Sequence, residues 1–324
     1  MNVPIIDVSP LRSNEPAGWR HVMQQLLDAH TRVGFSILVN HGVEADIVDA
    51  LFDASRSFHA WPLERKMAMR YRTTLRGYLP LNTSVLKAST LGAAKRPNHS
   101  DSFVVLGDLP ESLLPDWKSS AMGGTQPWPE IAGFEHAARR YRRAMIELGD
   151  AILPCFAVML GLPRDGLRDY FRVPNPILRL LHYPAVPHRG PDVFGSAPHT
   201  DYGCLTFVAQ DDVGGLQVQS DRGEWFDVPV VKNSLVLNTG HVIARWSGGR
   251  IKPTPHRVLT PEAADRYSIA FFYDCGLETP LDLDAAPMSD STSIYGRHLE
   301  AILRSNYAFV ADEPARALPD AARC

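Results

Sequence analysis

With 324 residues, 45% of them hydrophobic and 21% charged, the chain carries enough apolar material for a substantial core and too much for an intrinsically disordered protein. A formal net charge of −3 offers no general attraction for polyanions, so nucleic acid is not an expected partner. The longest uncharged apolar run, Ile152 to Pro163, is too short to cross a bilayer, and the first residues lack a signal-peptide pattern. Cys155, Cys204, Cys275 and Cys324 are scattered and fit neither a disulfide framework nor a zinc knuckle, which leads us to expect a cytoplasmic protein with no membrane partner.

In chain order, Val3 to Val8 reads as a short strand and Trp19 to Thr31 as a helix with Val22, Leu26 and Leu27 at helical spacing. A strand at Phe35 to Val39 follows, then a second helix carrying Ile47, Leu51 and Phe52 that Pro62 ends. Arg76 to Asn98 reads as loop with some strand. A long helix is expected from about Pro129 to Leu162, with Pro129 in its first turn and a kink at Pro154. Its Arg139, Arg140, Arg142 and Arg143 read as a solvated face among acidic neighbours.

From Ile177 onward the texture changes to short apolar runs punctuated by Gly, Pro, Asp and Asn. These are Ile177 to Tyr183, Leu205 to Ala209, Gly215 to Gln219, Trp225 to Val228, Ser234 to Leu237, Val242 to Trp246, His256 to Leu259 and Tyr267 to Tyr273. Short strands at such spacing predict a mainly β fold with flanking helices, its core a jelly roll or double-stranded β-helix. Tyr295 to Tyr307 supplies a closing helix, and Ala308 to Cys324 carries no pattern. We expect one compact unit: an N-terminal mixed α/β region over 1–110, a long-helix segment over 111–170, the jelly-roll core over 171–280 and a C-terminal helix and tail over 281–324.

The clearest chemistry lies at His199-Thr200-Asp201. On a strand, residues two apart share a face, so the imidazole and carboxylate can address one metal while Thr200 faces away. Spacing alone decides little, because a chain of this composition produces about one such tripeptide by chance, and His99-Ser100-Asp101 is a second instance. Downstream context separates them. His256, in Pro255-His256-Arg257-Val258, is placed to bring a third ligand from a later strand, whereas His99 and Asp101 have no comparable partner and read as a polar loop with a local turn hydrogen bond.

Two neutral nitrogens and one carboxylate oxygen on one face of an octahedron leave adjacent positions open, the arrangement of non-haem Fe(II) oxygenases. A structural zinc site would close the tetrahedron, often with cysteine; Cys204 falls on the opposite strand face from Asp201 and reads as a buried small hydrophobe. Arg266-Tyr267-Ser268 repeats the same-face geometry with a guanidinium and a hydroxyl, a pair suited to a carboxylate. By alternation Arg179, Phe272 and Asp274 turn toward the pocket mouth.

Together these residues resemble the isopenicillin N synthase-like Fe(II)/2-oxoglutarate-dependent dioxygenases. The likeness runs through Val33-Gly34-Phe35, Val39-Asn40-His41-Gly42-Val43, Arg76-Gly77-Tyr78, His182-Tyr183-Pro184, His199-Thr200-Asp201-Tyr202-Gly203, Gln210 to Val218 and Arg266-Tyr267-Ser268. It implies that His199, Asp201 and His256 hold Fe(II), and that Arg266 and Ser268, with Tyr183, bind 2-oxoglutarate. It also implies a small-molecule substrate near Arg179, Phe272 and Asp274, and oxidation of an unactivated C–H by O2, hydroxylation by default, with succinate and CO2 as coproducts. Leu181 stands where members often carry Asn, and His241 where they often carry an acidic residue. The stretch from Asn82 to Asp101, which overlies the pocket in relatives, matches no substrate pattern. Three other readings stay open from the residues alone: an oxidase of the isopenicillin N synthase or ethylene-forming kind with atypical cosubstrate use, a non-catalytic jelly-roll metal-binding protein, and a zinc hydrolase. Oligomeric state is not legible.

Overall fold

The computed structural model describes residues 2–13, 15–85, 96–188, 190, 192–283 and 293–306. Its strands are β1 (Ile5–Asp7), β2 (Phe35–Val39), β3 (Gly77–Leu79), β4 (Asp101–Leu106), β5 (Ile177–Tyr183), β6 (Phe194–His199), β7 (Leu205–Gln210), β8 (Leu216–Gln219), β9 (Trp225–Asp227), β10 (Leu235–Thr239), β11 (His256–Leu259) and β12 (Arg266–Tyr273). The helices are α1 (Pro16–Arg32), α2 (Ala45–His59), α3 (Leu63–Met67), α4 (Leu114–Trp117), α5 (Phe134–Met159), α6 (His241–Trp246) and α7 (Tyr295–Asn306).

The strands form two sheets, a major one in the order β1-β2-β10-β7-β12-β5-β4-β3 and a minor one in the order β6-β11-β8-β9. Strand alternation divides the major sheet into two chemically different faces. Leu178, Leu180, Leu205, Phe207, Leu235, Leu237, Ile269 and Phe271 point outward into the larger apolar core shared with the helices. There Phe58 of α2 packs its ring 4.7 Å from Phe103 of β4, which lies 5.4 Å from Phe134 of α5. The opposite parity points inward: Phe35, Leu181, Tyr183, Val236 and Ala270 meet Leu216, Val218 and Val258 of the minor sheet in a second apolar cluster. The two sheets therefore enclose a lined space, as expected of a jelly-roll core.

Several elements differ from expectation. Val242 to Trp246 is not a strand but part of α6, where Val242, Ile243 and Trp246 are buried at helical spacing and the Ala244 amide bonds the Gly240 carbonyl at 3.2 Å. The long helix begins at Phe134, after Gly133 in a left-handed conformation (φ 79°), and continues through Pro154 to Met159. On it Arg139 and Arg140 are exposed and paired with Glu135 and Asp46, in keeping with a solvated face, whereas Arg142 departs from it, being partly buried with its Nε shut off from solvent. Strands β4 and β6 carry no signal in the sequence that we read as strand. The closing helix is present to Asn306; Tyr307 and the tail to Cys324 lie outside the described residues, as do 86–95 of the stretch expected to overlie the pocket.

Candidate active site

His199 ends β6 and His256 opens β11, and the two are directly opposed in the antiparallel register of those strands. Their rings lie 4.2 Å apart. Asp201 stands beyond the end of β6, so the same-strand-face explanation for its convergence with His199 is wrong. Its position is set instead by bonds to distant elements: the His241 amide bonds the Asp201 carbonyl at 2.9 Å, and the side chain is gripped from the major sheet. Thr206 of β7 and Asn238 of β10 each donate to Asp201 Oδ2 at 2.6 Å. That leaves Oδ1 facing the imidazoles, 3.8 Å from His199 Nε2 and 3.7 Å from His256 Nε2.

The backbone fixes both imidazoles in one tautomer. His199 Nδ1 donates to the Ala197 carbonyl at 2.8 Å and His256 Nδ1 to the Thr254 carbonyl at 3.1 Å, so both Nε2 lone pairs point into the gap. Burial and the neighbouring His256 lower the pKa of His199 to about 4, which keeps it neutral. Burial opposes ionisation of Asp201, but the facing imidazoles and the hydrogen bonds from Thr206 and Asn238 outweigh it and hold its pKa below the usual value. One ligand atom from each of the three residues lies within 4.8 Å of the others, and among the described residues no further His, Cys, Asp or Glu joins the group. Two neutral nitrogens and one carboxylate oxygen, with no fourth protein ligand, fit an open octahedral metal such as Fe(II) and do not fit a closed structural zinc site. Nor does a further Glu or Asp of that group stand ready as the general base a zinc hydrolase would need.

Arg266, Ser268 and Tyr183 meet at the other end of the lined space. Arg266 of β12 is paired with Tyr183 of β5, and its guanidinium carbon sits 4.7 Å from the centre of the Tyr183 ring. Arg266 Nε donates to the Gly214 carbonyl and Nη2 to Gln210 Oε1 at 3.2 Å, whereas Nη1 is buried with no hydrogen-bond partner among the described residues. The Tyr183 and Ser268 hydroxyls are 3.3 Å apart. A buried cationic N–H in a group that also holds two hydroxyls has the donor chemistry to accept an anion such as a carboxylate. The apolar cluster holding Tyr183 also holds Phe35, whose ring lies 5.2 Å from that of His256, so the anion cradle and the histidine pair share one chamber.

A further cavity opens at His199 and Asp201, lined by Leu75, Leu79, Val104, Arg179, Phe272 and, from α7, Leu299 and Leu303. Arg179 is oriented by a 2.9 Å bond from Nε to Ser102 Oγ. Asp274 also lines this cavity, but β12 ends at Tyr273, so strand alternation does not place it. Its oxygens are engaged by the Cys204 amide at 2.6 Å and the Tyr295 hydroxyl at 2.6 Å, and burial raises its pKa to about 6. Gly203 makes this approach possible, since a Cβ there would stand 2.0 Å from Asp274 Oδ1. Cys204 is buried as expected, although it lies off any strand. Leu181 packs in the inner apolar cluster, and His241 Nε2 lies 2.7 Å from Thr200 Oγ1.

The second tripeptide is not a loop with a local bond. Asp101 opens β4 and is 3% exposed, with Lys66 Nζ at 3.1 Å, the Tyr78 hydroxyl at 2.8 Å and His182 Nδ1 at 2.7 Å. His99 contacts Asn82 Oδ1 at 3.2 Å, and neither residue approaches the histidine pair. Sequence reasoning also missed Thr206, Gln210 and Asn238. All three lie on the inward parity of strands it had largely located, so strict alternation carried to the strand ends would have found them.

Two family profiles match the chain: the 2OG-Fe(II) oxygenase superfamily over residues 174–274, and the N-terminal region described as non-haem dioxygenase in morphine synthesis over residues 3–131. A 2-oxoglutarate-dependent dioxygenase of Monascus ruber is 33% identical over 300 residues, covering 86% of this chain and 88% of the relative. The chain belongs to the 2OG-Fe(II) oxygenase superfamily. Gibberellin 20 oxidase 2 of Oryza sativa is 32% identical over 84% of this oxygenase and 67% of its own length. Among solved structures, a full-length Neurospora crassa protein in complex with alpha-KG and thymine superposes with a TM-score of 0.79 at 27% identity, covering 94% of this chain and 97% of that one. This oxygenase is therefore an Fe(II)- and 2-oxoglutarate-dependent enzyme consuming O2, which sets aside the non-catalytic reading. Among the described residues, no helix is long and apolar enough to cross a membrane.

Proposed function

We propose that His199, Asp201 and His256 hold the iron, that Arg266, Ser268 and Tyr183 grip the distal carboxylate of 2-oxoglutarate, and that Arg179 and Phe272 frame a small-molecule substrate whose C–H is oxidised. The observation that carries this reading is the buried Nη1 of Arg266, which has no partner among the described residues, on a guanidinium packed against Tyr183 of the inner cluster that also holds Phe35, the neighbour of His256. O2 would be the oxidant: iron held here would activate it with electrons from the oxidative decarboxylation of 2-oxoglutarate, one oxygen atom passing to succinate, released with CO2, and the other serving to oxidise the substrate C–H.

The chain's own residues do the positioning. Thr206 and Asn238 turn Asp201 so that a single oxygen faces the metal position, and the carbonyls of Ala197 and Thr254 hold both imidazoles by Nδ1 with Nε2 aimed at it. The inner cluster of Phe35, Leu181, Val218 and Val258 excludes water from the cosubstrate. Arg179 stands close enough to His199 to act on it electrostatically, which favours a substrate presenting an acidic or carbonyl group to Arg179 and an apolar body to Phe272, Leu299 and Leu303. Asp274, with its oxygens engaged, acts as a wall of that cavity. Thymine in the Neurospora crassa complex and the activity in the name of gibberellin 20 oxidase are chemically unlike, so substrate is not carried over from either.

The deciding experiment is a screen of small carboxylic and carbonyl compounds for substrate-stimulated succinate formation, run with the wild type and with His256→Ala and Arg266→Ala. We expect the first variant to lose iron and the second to lose affinity for 2-oxoglutarate while keeping iron. Full iron stoichiometry in His256→Ala, or unchanged 2-oxoglutarate affinity in Arg266→Ala, would overturn the assignment.

A further inference from the structure

The outward face of β5 and β12 carries a buried polar network directly behind the cosubstrate cradle. In the register of these strands Tyr183 pairs with Arg266 and His182 with Tyr267, so one step along each strand passes from the inner chamber to the helix side. His182 Nδ1 lies 2.7 Å from Asp101 Oδ1, and His182 Nε2 lies 3.1 Å from Asp265 Oδ2. Its ring stacks on Tyr267, with centroids 4.8 Å apart. Asp265 is the residue before Arg266, and its other oxygen accepts the Ala185 amide at 2.9 Å. Asp265 thus holds the end of β5 to the start of β12, while Asp101 ties the same imidazole to the start of β4.

An imidazole donates from both nitrogens only when protonated. We propose that His182, as an imidazolium strapped between Asp101 and Asp265, is a positioning residue that holds Tyr183 and Arg266 in register for 2-oxoglutarate, so that its deprotonation weakens cosubstrate binding. This rests on the reading of Arg266 as the cosubstrate anchor.

The groups around the imidazole are consistent with that behaviour. Asp101 is anchored independently by Lys66 of α3 and Tyr78 of β3, whereas the Asp265 side chain is half exposed. Loss of the proton therefore spares the short buried bond to Asp101 and releases Asp265, the partner adjoining Arg266. Also facing this cluster are His59 of α2, its ring 5.1 Å from His182, Arg56 of α2 over the Tyr267 ring, His99 before β4, and Asp211, which accepts the Tyr267 amide. Burial lowers the pKa of His59 to about 4 and also lowers that of His99, so neither changes charge near neutrality. For His182, burial is outweighed by the hydrogen bonds and charges of Asp101 and Asp265, and its pKa is raised. Among described histidines with a resolved direction it is the one raised, so its imidazolium persists to higher pH than that of an unperturbed histidine before it is lost.

The test is anaerobic titration of the Fe(II) enzyme with 2-oxoglutarate between about pH 6 and about pH 9, with 15N NMR of the His182 ring in parallel. In the wild type we expect affinity to fall about fivefold as the ring passes from imidazolium to neutral imidazole. Asp265→Asn, at the exposed end of the strap, should bind more weakly at pH 6 and show no such fall, while Asp265→Glu restores it. Iron affinity should be the same in all three. A neutral His182 ring at pH 6, or an Asp265→Asn variant with wild-type affinity and pH profile, overturns the proposal. Arg266→Ala distinguishes the premise: if it binds 2-oxoglutarate normally the cradle reading fails, and if it binds weakly while Asp265→Asn binds normally the strap alone fails.

Discussion

Asp201 offers the sharpest test of the metal centre, because two donors from the major sheet, rather than its own strand, hold it. Thr206 Oγ1 and Asn238 Nδ2 both sit 2.6 Å from the same oxygen. Thr206→Val and Asn238→Leu each remove one donor with little change of shape. A hydrogen bond to a buried charged group is worth about 1.5–3 kcal/mol, which corresponds to roughly a 10- to 100-fold loss of Fe(II) affinity for either variant. Since both act on one oxygen, the survivor still limits rotation of the carboxylate, and the double variant is expected to lose more than the two single losses combined. The assay is anaerobic competition for Fe(II) against a chelator of known affinity, with thermal unfolding of the metal-free protein to separate lost folding from lost orientation. Wild-type Fe(II) affinity in the double variant would refute the claim that these donors aim the carboxylate.

Four further outcomes follow from the same geometry. Arg266→Ala leaves the cosubstrate carboxylate buried beside an unfilled position, and truncating one partner of such a pair costs about 2–5 kcal/mol, so 2-oxoglutarate affinity should fall roughly 30-fold or more, as measured by anaerobic calorimetry. Asp101→Ala strands the buried Lys66 ammonium and should destabilise the fold by about 3–5 kcal/mol in urea unfolding, a loss below about 1 kcal/mol contradicting the network's role. The Asp101 carboxyl is held well below its usual pKa: burial opposes this, but His182, His59 and Lys66 prevail. The stability it contributes is therefore complete at neutral pH and disappears as acid protonates the carboxyl below about pH 4, an effect that should be missing in Asp101→Asn. His99→Ala, by contrast, removes only the bond to Asn82 and should change neither iron stoichiometry nor stability by more than about 0.5 kcal/mol.

How far the sequence speaks depends on whether a strand has one wet face or one chemically distinct face. β5, β11 and β12 were legible because their runs are bounded by turn residues, and the alternation of Arg266, Ser268 and Phe272 with Ile269 and Phe271 survives folding as inner and outer faces. In β4 all six residues are buried, polar Asp101 and Ser102 included, so no alternation marks it. β6 reads Phe-Gly-Ser-Ala-Pro-His, with nothing apolar to repeat, yet backbone pairing with β11 is enough to fix His199 opposite His256. The Val242-Ile243 pair misled because a short β-branched run fits either period; the helix there follows directly on Gly240, where the chain passes too close to the Gly203 backbone for a side chain. Asp101 was misjudged for a related reason: its partners come from α3, β3 and β5, up to 81 residues away, and local context holds no trace of them.

The division of labour between the sheets explains why chemistry is readable here and substrate is not. Both histidines belong to the minor sheet, while the groups that aim Asp201 and those that cradle an anion, Thr206, Asn238, Tyr183, Arg266 and Ser268, belong to the inner face of the major sheet. The reacting centre thus depends on the register of two hydrogen-bonded sheets, and a slip of one residue would turn every one of these side chains to the wrong face. The proposed substrate cavity draws on further elements: beside Arg179 of β5 and Phe272 of β12, its Leu75, Leu79, Leu299 and Leu303 come from a loop, the short edge strand β3 and the closing helix α7, outside the sandwich formed by β5 to β12. Exchanging residues on those flanking segments leaves the sheet register untouched, so substitutions at Leu299 or Leu303 should alter substrate preference while iron and 2-oxoglutarate affinities stay at wild-type values. If Leu303→Trp weakened 2-oxoglutarate binding as strongly as it changed substrate preference, the two functions would share one structural support and this separation would be wrong.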